Sequence, residues 1–239
     1  MRPLITIRPA PGDAQTVALG QSMGLPIVSH PLFSVEPLAW TVPDPALYDA
    51  ILIGSANVLR HAGQGLAALR HLPAYCVGHM TASVARSAGF AVAFTGAGNL
   101  QSVLAPAMRA GHRRLLRLCG EAHVPVSFAP GTPDAPIIDR RMVYRVIDHP
   151  LGPALAKALM HQPVVLLHSG EAARHFSAEV DRISGAPGRN NIALACLAPR
   201  IAAAAGTGWR KVAIADTIDD GALLALAGQM CQMSSGPED

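Results

Sequence analysis

Small hydroxyl residues and glycines follow several apolar runs of this chain. Four such clusters occur, at residues 54–57, 78–81, 119–121 and 168–170. Within them, Ser55, Thr81 and Ser169 each stand at or beside a predicted helix start. Backbone N–H groups at a helix start lack acceptors and the helix dipole is positive there, so such positions favour anions such as carboxylates. A plainer interpretation stays open, in which the three hydroxyls only cap their helices and contribute about 1 kcal/mol each.

The elements that must position these clusters alternate along the whole chain. Apolar runs predict strands at residues 4–7, 27–29, 50–53, 74–77, 91–94, 115–119, 143–147, 164–167, 192–196 and 212–215. Ala- and Leu-rich segments with helical spacing predict helices at residues 81–88, 100–108, 198–205 and 221–230. Asp219 or Asp220 is expected to cap the last of these helices. Most strand runs are continuously apolar, which is typical of parallel strands covered on both faces, so we predict an α/β fold.

A weak internal repeat indicates two similar α/β lobes with parallel sheets. Residues 51–61 resemble residues 165–175, which places Ser55 and Ser169 at equivalent positions. A repeat of this size is typical of duplicated domains rather than of solenoid units.

A segment with four prolines at residues 31–45 and a segment rich in Pro and Gly at residues 122–139 predict crossings between these lobes. We therefore expect residues 1–35 and 147–239 to form a first, discontinuous lobe. Residues 39–142 would form a second lobe inserted into it, and residues 36–38 and 143–146 a two-segment linker. A double hinge of this kind would frame a cleft, which is a common place for a ligand.

Composition excludes several classes of protein. Half of the 239 residues are hydrophobic and 15% are charged, which excludes a disordered chain. The formal net charge of +3 is small and its basic residues are dispersed, so no nucleic-acid partner is expected. No apolar stretch reaches the roughly 18–20 residues of a membrane span, and no signal-type segment is found. We expect a soluble, cytoplasmic protein that does not bind membranes.

No pattern for a metal ion or a nucleotide cofactor is found. The four cysteines form no C-x-x-C pair and are expected to be buried thiols, and no H-E-x-x-H motif occurs. The Gly96-Ala97-Gly98 segment lacks the third glycine of a dinucleotide fingerprint, and the first strand leads into Arg8-Pro9 rather than a glycine loop. We expect neither a metal nor a cofactor.

Eight sequence blocks follow one another along nearly the whole chain in the order of one known family. They are Leu4-Ile-Thr-Ile-Arg-Pro9, Pro31-Leu-Phe-Ser-Val-Glu-Pro37, Tyr48-Asp-Ala-Ile-Leu-Ile-Gly-Ser-Ala-Asn57, Tyr75-Cys-Val-Gly-His-Met-Thr-Ala82, Leu118-Cys-Gly-Glu121, Val143-Tyr-Arg145, Leu167-His-Ser169 and Ala198-Pro-Arg200. With these blocks the chain resembles the uroporphyrinogen-III synthases, whose split two-lobe architecture agrees with the insertion deduced above. The chain departs from the family at Ile7 and Gly54, where Thr is frequent, and at Ala198, where Ser is common.

The resemblance implies a cofactor-free reaction. The family converts hydroxymethylbilane, a linear tetrapyrrole, into uroporphyrinogen III with loss of water and inversion of the last pyrrole ring. Tyr144 matches the family's cleft tyrosine and is the implied catalytic residue. Its phenol, with an unperturbed pKa of roughly 10, can donate a hydrogen bond to the leaving hydroxyl at neutral pH. Thr81 is expected to assist it.

The implied substrate carries eight carboxylates, which backbone amides and polar side chains would hold. The candidate binding residues are Arg8, Ser55, Ala56, Asn57, Gly78, Gly120, Glu121, Ser169, Gly170 and Ala198. Arg145 is a further candidate for a charge-assisted contact. For Arg8 and Arg145 a plain salt bridge is an equally open interpretation.

Two alternatives from other classes of protein stay open. A two-lobed binding module could close on an anionic small molecule without catalysis, and the hydroxyls missing at residues 7, 54 and 198 favour it. A Rossmann-type transferase would instead need to bind a nucleotide or S-adenosylmethionine. We expect a monomer that acts on a small molecule, with a transient hand-over of substrate from hydroxymethylbilane synthase.

Overall fold

Strands and helices alternate throughout the computed structural model, which describes residues 2–126, 128, 135–183 and 188–232. The strands are β1 (Leu4–Thr6), β2 (Ile27–Ser29), β3 (Phe33–Pro37), β4 (Ala50–Ile53), β5 (Ala74–Cys76), β6 (Val92–Thr95), β7 (Arg114–Gly120), β8 (Ile137–Asp148), β9 (Val164–Leu167), β10 (Ala193–Cys196) and β11 (Lys211–Ile214). The α-helices are α1 (Gly12–Ser22), α2 (Ala56–His61), α3 (His79–Ser87), α4 (Gln101–Arg109), α5 (Pro153–Leu159), α6 (Gly170–Arg182), α7 (Pro199–Ala205) and α8 (Asp220–Gln232). Short 3-10 helices lie at Pro45–Leu47, Gly63–Leu69 and Arg189–Asn191.

The strands form two sheets. The first has the order β11-β10-β9-β1-β2, and every neighbouring pair in it is parallel. The second has the order β3-β8-β7-β4-β5-β6, with parallel pairing from β8 through β6. This arrangement confirms the predicted α/β class.

Each of the ten predicted strands overlaps an observed one, and the four predicted helices correspond to α3, α4, α7 and α8. Strand β3 was not predicted, because its prolines and mixed polarity suggested an extended crossing. It pairs with β8 at one edge of the second sheet. Part of the second predicted crossing, residues 127 and 129–134, lies outside the described residues.

The chain divides into two units. The first consists of Met1–Ser34 and Ile147–Asp239, and the second of Val35–Val146. The residues that we expected to form a linker, 36–38 and 143–146, lie in or directly after β3 and in β8. Among the helices that the structure describes, none has the length and apolar character needed to cross a bilayer.

The central strands of each sheet are buried on both faces, which explains their continuously apolar sequences. Successive strand residues point to opposite faces. In the first unit, Ile5 packs with Phe176 on one face, while Leu4 packs with Leu224 on the other. The second unit has the same arrangement, with separate apolar clusters on its two faces. Each fully buried side chain of this size contributes about 1.5–3 kcal/mol.

The positions open to a ligand are therefore expected where the strands end. Parallel strands that share a sheet end at the same edge, which is where open α/β sheets bind ligands. In the first unit, Arg8, His168 and Ala198 follow β1, β9 and β10 closely. In the second unit, Gly54 and Val77 directly follow β4 and β5, and Gly120 is the last residue of β7.

Candidate active site

A pocket of about 460 Å³ lies at this edge of the second unit's sheet. Its lining includes Ser55 at the start of α2, Arg117 and Gly120 of β7, His123 after it, and Tyr144 of β8. Of the predicted site residues, the fold thus brings Ser55, Gly120 and Tyr144 together in one pocket.

Tyr144 is held opposite the end of β7 by an irregularity in the strand pairing. Cys119 pairs with Met142, but Gly120 pairs with Tyr144 rather than with Val143. The Glu121 N–H donates to the Tyr144 carbonyl at 2.9 Å and fixes this register. A bulge of this kind re-aims a side chain at a strand end. It leaves both Val143 and Tyr144 in the same apolar cluster.

The Tyr144 phenol is a neutral hydrogen-bond donor at physiological pH. The residue is 9% exposed. Burial raises the pKa of the phenol above its ordinary value of 10.0, and the neighbouring Ser55 side chain offsets this only in part. The phenol therefore keeps its proton and can donate it in a hydrogen bond to a bound group.

Gly120 makes room for the Tyr144 ring. A Cβ at this position would lie 2.7 Å from Tyr144 Cε2 and 2.8 Å from Cζ. Both distances are well below van der Waals contact, so any side chain here would displace the ring. The glycine's role at this position is steric.

Ser55 both caps α2 and lines the pocket. Its hydroxyl accepts the Asn57 N–H at 3.2 Å, so the capping interpretation is correct for this residue. Beside it, a Cβ on Gly54 would meet only Val77 Cγ2, at 4.0 Å. The pocket thus has open space where the family often carries a threonine.

The remaining candidates of the second unit are outside this pocket lining. Thr81 is the third residue of α3, and the N-cap is Gly78, which has no side chain to offer. The capping interpretation of Thr81 is therefore wrong, because α3 begins at His79, two residues before the predicted start at Thr81. Ala56 and Asn57 form the first turn of α2, and the Glu121 N–H is already bonded to Tyr144.

Arg8, in the first unit, is part of an internal network around Asp220. Arg8 Nη1 lies 2.8 Å from Asp220 Oδ2, to which the Thr16 hydroxyl donates at 2.9 Å. His168 Nε2 lies 3.3 Å from the other carboxylate oxygen. Gly12 leaves space for the guanidinium, since a Cβ there would lie 2.5 Å from Arg8 Nε. The salt-bridge interpretation is therefore correct for Arg8.

The same interpretation is correct for Arg145, which pairs with Glu36 at 2.9 Å. Ser169 caps α6 by accepting the Ala172 N–H at 3.1 Å, and Gly170 begins that helix. Ala198 stands at the N-cap of α7 without a capping side chain. Ile7 is buried in the apolar cluster of the first unit, so its side chain contributes to packing at a position where the family that the sequence resembles frequently has Thr.

Sequence reasoning missed two features of these strand ends. Arg117 sits in the middle of a run that was interpreted only as an apolar strand, and it is 6% exposed. The sequence signal that could have revealed it is a charged residue, Arg117, between Leu116 and Leu118 in a run otherwise typical of a buried strand. Asp220 was considered only as a helix cap. Asp219 takes that role, accepting the Ala222 N–H at 2.9 Å, while Asp220 pairs with residues far away in sequence.

The described residues contain no group of three His, Cys, Asp or Glu side chains placed to hold a metal ion. All four cysteines are buried and free. Burial raises the pKa of Cys76 to about 11 and that of Cys196 to about 12, so both remain thiols at neutral pH.

The Asp220 network makes stability depend on pH. Burial alone would raise the pKa of this carboxyl, but the hydrogen bond from His168 and the charges of His168 and Arg8 lower it to about 2. A carboxyl whose pKa is lower in the folded state stabilises the fold above its unfolded pKa, and this contribution is lost as pH falls. We expect Asp220→Asn to lower the free energy of unfolding by about 2 kcal/mol at pH 7. The loss should shrink to about half of that by pH 3.

Urea unfolding of wild type and variant between pH 7 and pH 3 measures this difference. Asp181→Asn is the matched control, because Asp181 pairs with Arg189 at 2.7 Å at the surface of the same unit. Exposed pairs contribute at most about 1 kcal/mol, so the control should lose less. A loss for Asp220→Asn that is the same at pH 7 and pH 3 would contradict the role assigned to this carboxylate.

Comparisons with known proteins agree with this fold. A family model described as uroporphyrinogen-III synthase HemD matches residues 14–225. The structure of uroporphyrinogen-III synthetase from Helicobacter pylori superimposes with a TM-score of 0.65 at 17% identity, covering 96% of this chain and 100% of that one. A mutant uroporphyrinogen III synthase from the extremely thermophilic bacterium Thermus thermophilus gives a TM-score of 0.57 at 14% identity, covering 98% and 100%. No curated protein sequence matches the chain.

At these identities the solved structures support the fold, whereas the family model spans most of the sequence. The chain belongs to the uroporphyrinogen-III synthase family.

Proposed function

We propose that this protein cyclises hydroxymethylbilane to uroporphyrinogen III, with loss of water and inversion of the terminal pyrrole ring, a lyase reaction of tetrapyrrole biosynthesis. Membership of the family supports the reaction. The observation that supports the mechanism is the buried, protonated Tyr144 phenol in a pocket at the carboxyl edge of a parallel sheet.

The chemical steps need a hydrogen-bond donor more than a strong acid or base. The C–O bond of the substrate's hydroxymethyl group breaks, and the hydroxyl leaves as water while a cationic azafulvene remains on the first ring. The Tyr144 phenol would donate a hydrogen bond to that leaving oxygen. The terminal pyrrole then attacks through its substituted carbon to give a spiro intermediate, which fragments and closes again with that ring inverted.

Most of the protein's task is orientation. Without an enzyme the substrate cyclises to the uninverted isomer, so the protein must bring the hindered carbon closer to the cation than the free one. Holding two reacting groups in one geometry is a large source of rate. The described lining of the pocket contains no Asp or Glu, which suits a substrate with eight carboxylates of its own.

The residue roles extend this proposal. Ser55 and Gly120 would contact substrate beside Tyr144, and Thr81 would assist from the first turn of α3 together with the Gly78 and Ala56 backbone. Asn57 and Glu121 would support the site by holding Ser55 and Tyr144, to which their N–H groups donate. In the first unit the candidate contacts are Ser169, Gly170 and Ala198, with Arg8 held beside them by Asp220. We also propose a cytoplasmic monomer that receives its unstable substrate from hydroxymethylbilane synthase.

An isomer assay tests the reaction directly. The protein is mixed with freshly generated hydroxymethylbilane, the products are oxidised, and the uroporphyrin isomers are separated by chromatography. We expect isomer III to predominate. A binding module without catalysis would leave isomer I, formed at the rate of a protein-free sample, and that result would refute the proposal.

Tyr144→Phe should slow formation of isomer III by a factor of about ten or more, because removal of one positioned donor typically costs at least this much. The fold should be unaffected, since the ring stays in its apolar cluster. Tyr48→Phe is the matched control: Tyr48 is buried in the same unit but donates to Asp139 at 3.0 Å, away from the pocket. Full activity of Tyr144→Phe would remove the phenol from the mechanism.

Single removal of the small hydroxyls should have weaker effects than removal of the phenol. Ser55→Ala, Thr81→Ala and Ser169→Ala each leave the backbone N–H groups in place, so we expect a decrease in kcat/KM of about threefold to fivefold, close to the roughly 1 kcal/mol of one neutral hydrogen bond. Initial rates and thermal denaturation of each variant separate binding from stability. Loss of turnover in a folded variant would contradict binding through backbone amides.

A further inference from the structure

Arg117 is a buried cation without a counter-ion among the residues that the structure describes. It lies in the middle of β7 and is 6% exposed, and its neighbours Leu116 and Leu118 pack on the opposite face of the sheet. Its Nη1 atom has no hydrogen-bond partner there. Burial lowers the pKa of the guanidinium, yet an arginine keeps its charge in proteins. A buried and unpaired charge is among the most costly features a fold can retain.

The surroundings of Arg117 are positive. It lines both the pocket that holds Tyr144 and an adjoining one of about 380 Å³, whose lining also includes Arg140. Among the described lining residues of the two pockets there is no Asp or Glu. Arg140 Nη1 lies 3.1 Å from His123 Nε2, so that nitrogen is occupied as an acceptor. The other His123 nitrogen, Nδ1, lies 3.0 Å from the Gly120 carbonyl.

The nearby carboxylate on β8 is already engaged elsewhere. Asp139 accepts the Tyr48 hydroxyl at 3.0 Å and lies 3.6 Å from Arg114. The pocket therefore offers a cation and open space. The described part of the chain supplies no anion to pair with that cation, so an anionic ligand can fill this place.

We propose that Arg117 binds a carboxylate of the substrate, from the acetate or propionate side chain of the pyrrole ring that lies beside Tyr144. This inference rests on the proposed function and names the group that holds the substrate in that pocket. A planar guanidinium can bind a carboxylate through two parallel hydrogen bonds, which fixes orientation as well as position. Orientation is what the ring inversion requires.

Steady-state kinetics test the assignment. Arg117→Gln should raise KM for hydroxymethylbilane by about tenfold or more, since a hydrogen bond to a charged group is worth that factor. Arg117→Lys keeps the charge but cannot form two parallel hydrogen bonds to a carboxylate, so its KM should lie between that of wild type and that of Arg117→Gln. Arg114→Gln is the matched control on the same strand, because Arg114 is half exposed and pairs with Asp139. Its KM should stay within about twofold of wild type.

A second readout separates binding from a structural role. Removal of an unpaired buried charge should stabilise the free protein, so Arg117→Met should have a higher Tm than wild type. Uroporphyrin III, the oxidised product with eight carboxylates, is the probe: it should raise the Tm of wild type clearly more than that of Arg117→Met.

Three outcomes decide the question. An unchanged KM in Arg117→Gln, or a lower Tm of free Arg117→Met together with an unchanged response to uroporphyrin III, would overturn the assignment. If wild type forms no isomer III but uroporphyrin III stabilises it and fails to stabilise Arg117→Met, the carboxylate site stands and the proposed reaction fails.

Discussion

The burial of the central, continuously apolar parallel strands on both of their faces is the constraint on which the rest of this structure depends. A strand covered on both sides has no face left for polar chemistry. The polar groups of these central strands are therefore found mainly at the strand ends, where loops and helix starts meet at one edge. Ser55 and Gly120 in the second unit and the Asp220 network in the first lie at such ends, and Tyr144 of β8 faces the end of β7.

Arg117 is the exception that shows how strong this constraint is. It occupies a strand interior in which its neighbours Leu116 and Leu118 are fully buried. The fold accepts the cost of a cation there, beside the pocket that contains the phenol. Sites of function commonly retain such locally unfavourable residues, and stability elsewhere in the fold compensates for them.

Most of the fold could be predicted from the sequence because the signal was local. Continuous apolar runs between Gly- and Pro-containing turns specify buried strands, and each predicted strand was found. Strand β3 was missed because a strand at the edge of a sheet needs no continuous apolar run. Ser55 was found from its place after an apolar strand and Tyr144 from the family resemblance, whereas the roles of Asp220 and Arg117 were not found. Their roles depend on groups that only folding brings close, such as Arg8, 212 residues before Asp220.

The first unit is assembled from two distant stretches of chain, and this has a consequence for biosynthesis. Its sheet needs β1 and β2 from the start of the sequence and β9, β10 and β11 from its last third. The second unit, Val35–Val146, is continuous and leaves the ribosome complete while much of the first is still untranslated. Because domains fold as units during synthesis, the inserted one can reach its native form first. Strands β1 and β2 must then remain unpaired, with their apolar residues uncovered, until β9, β10 and β11 have been synthesised.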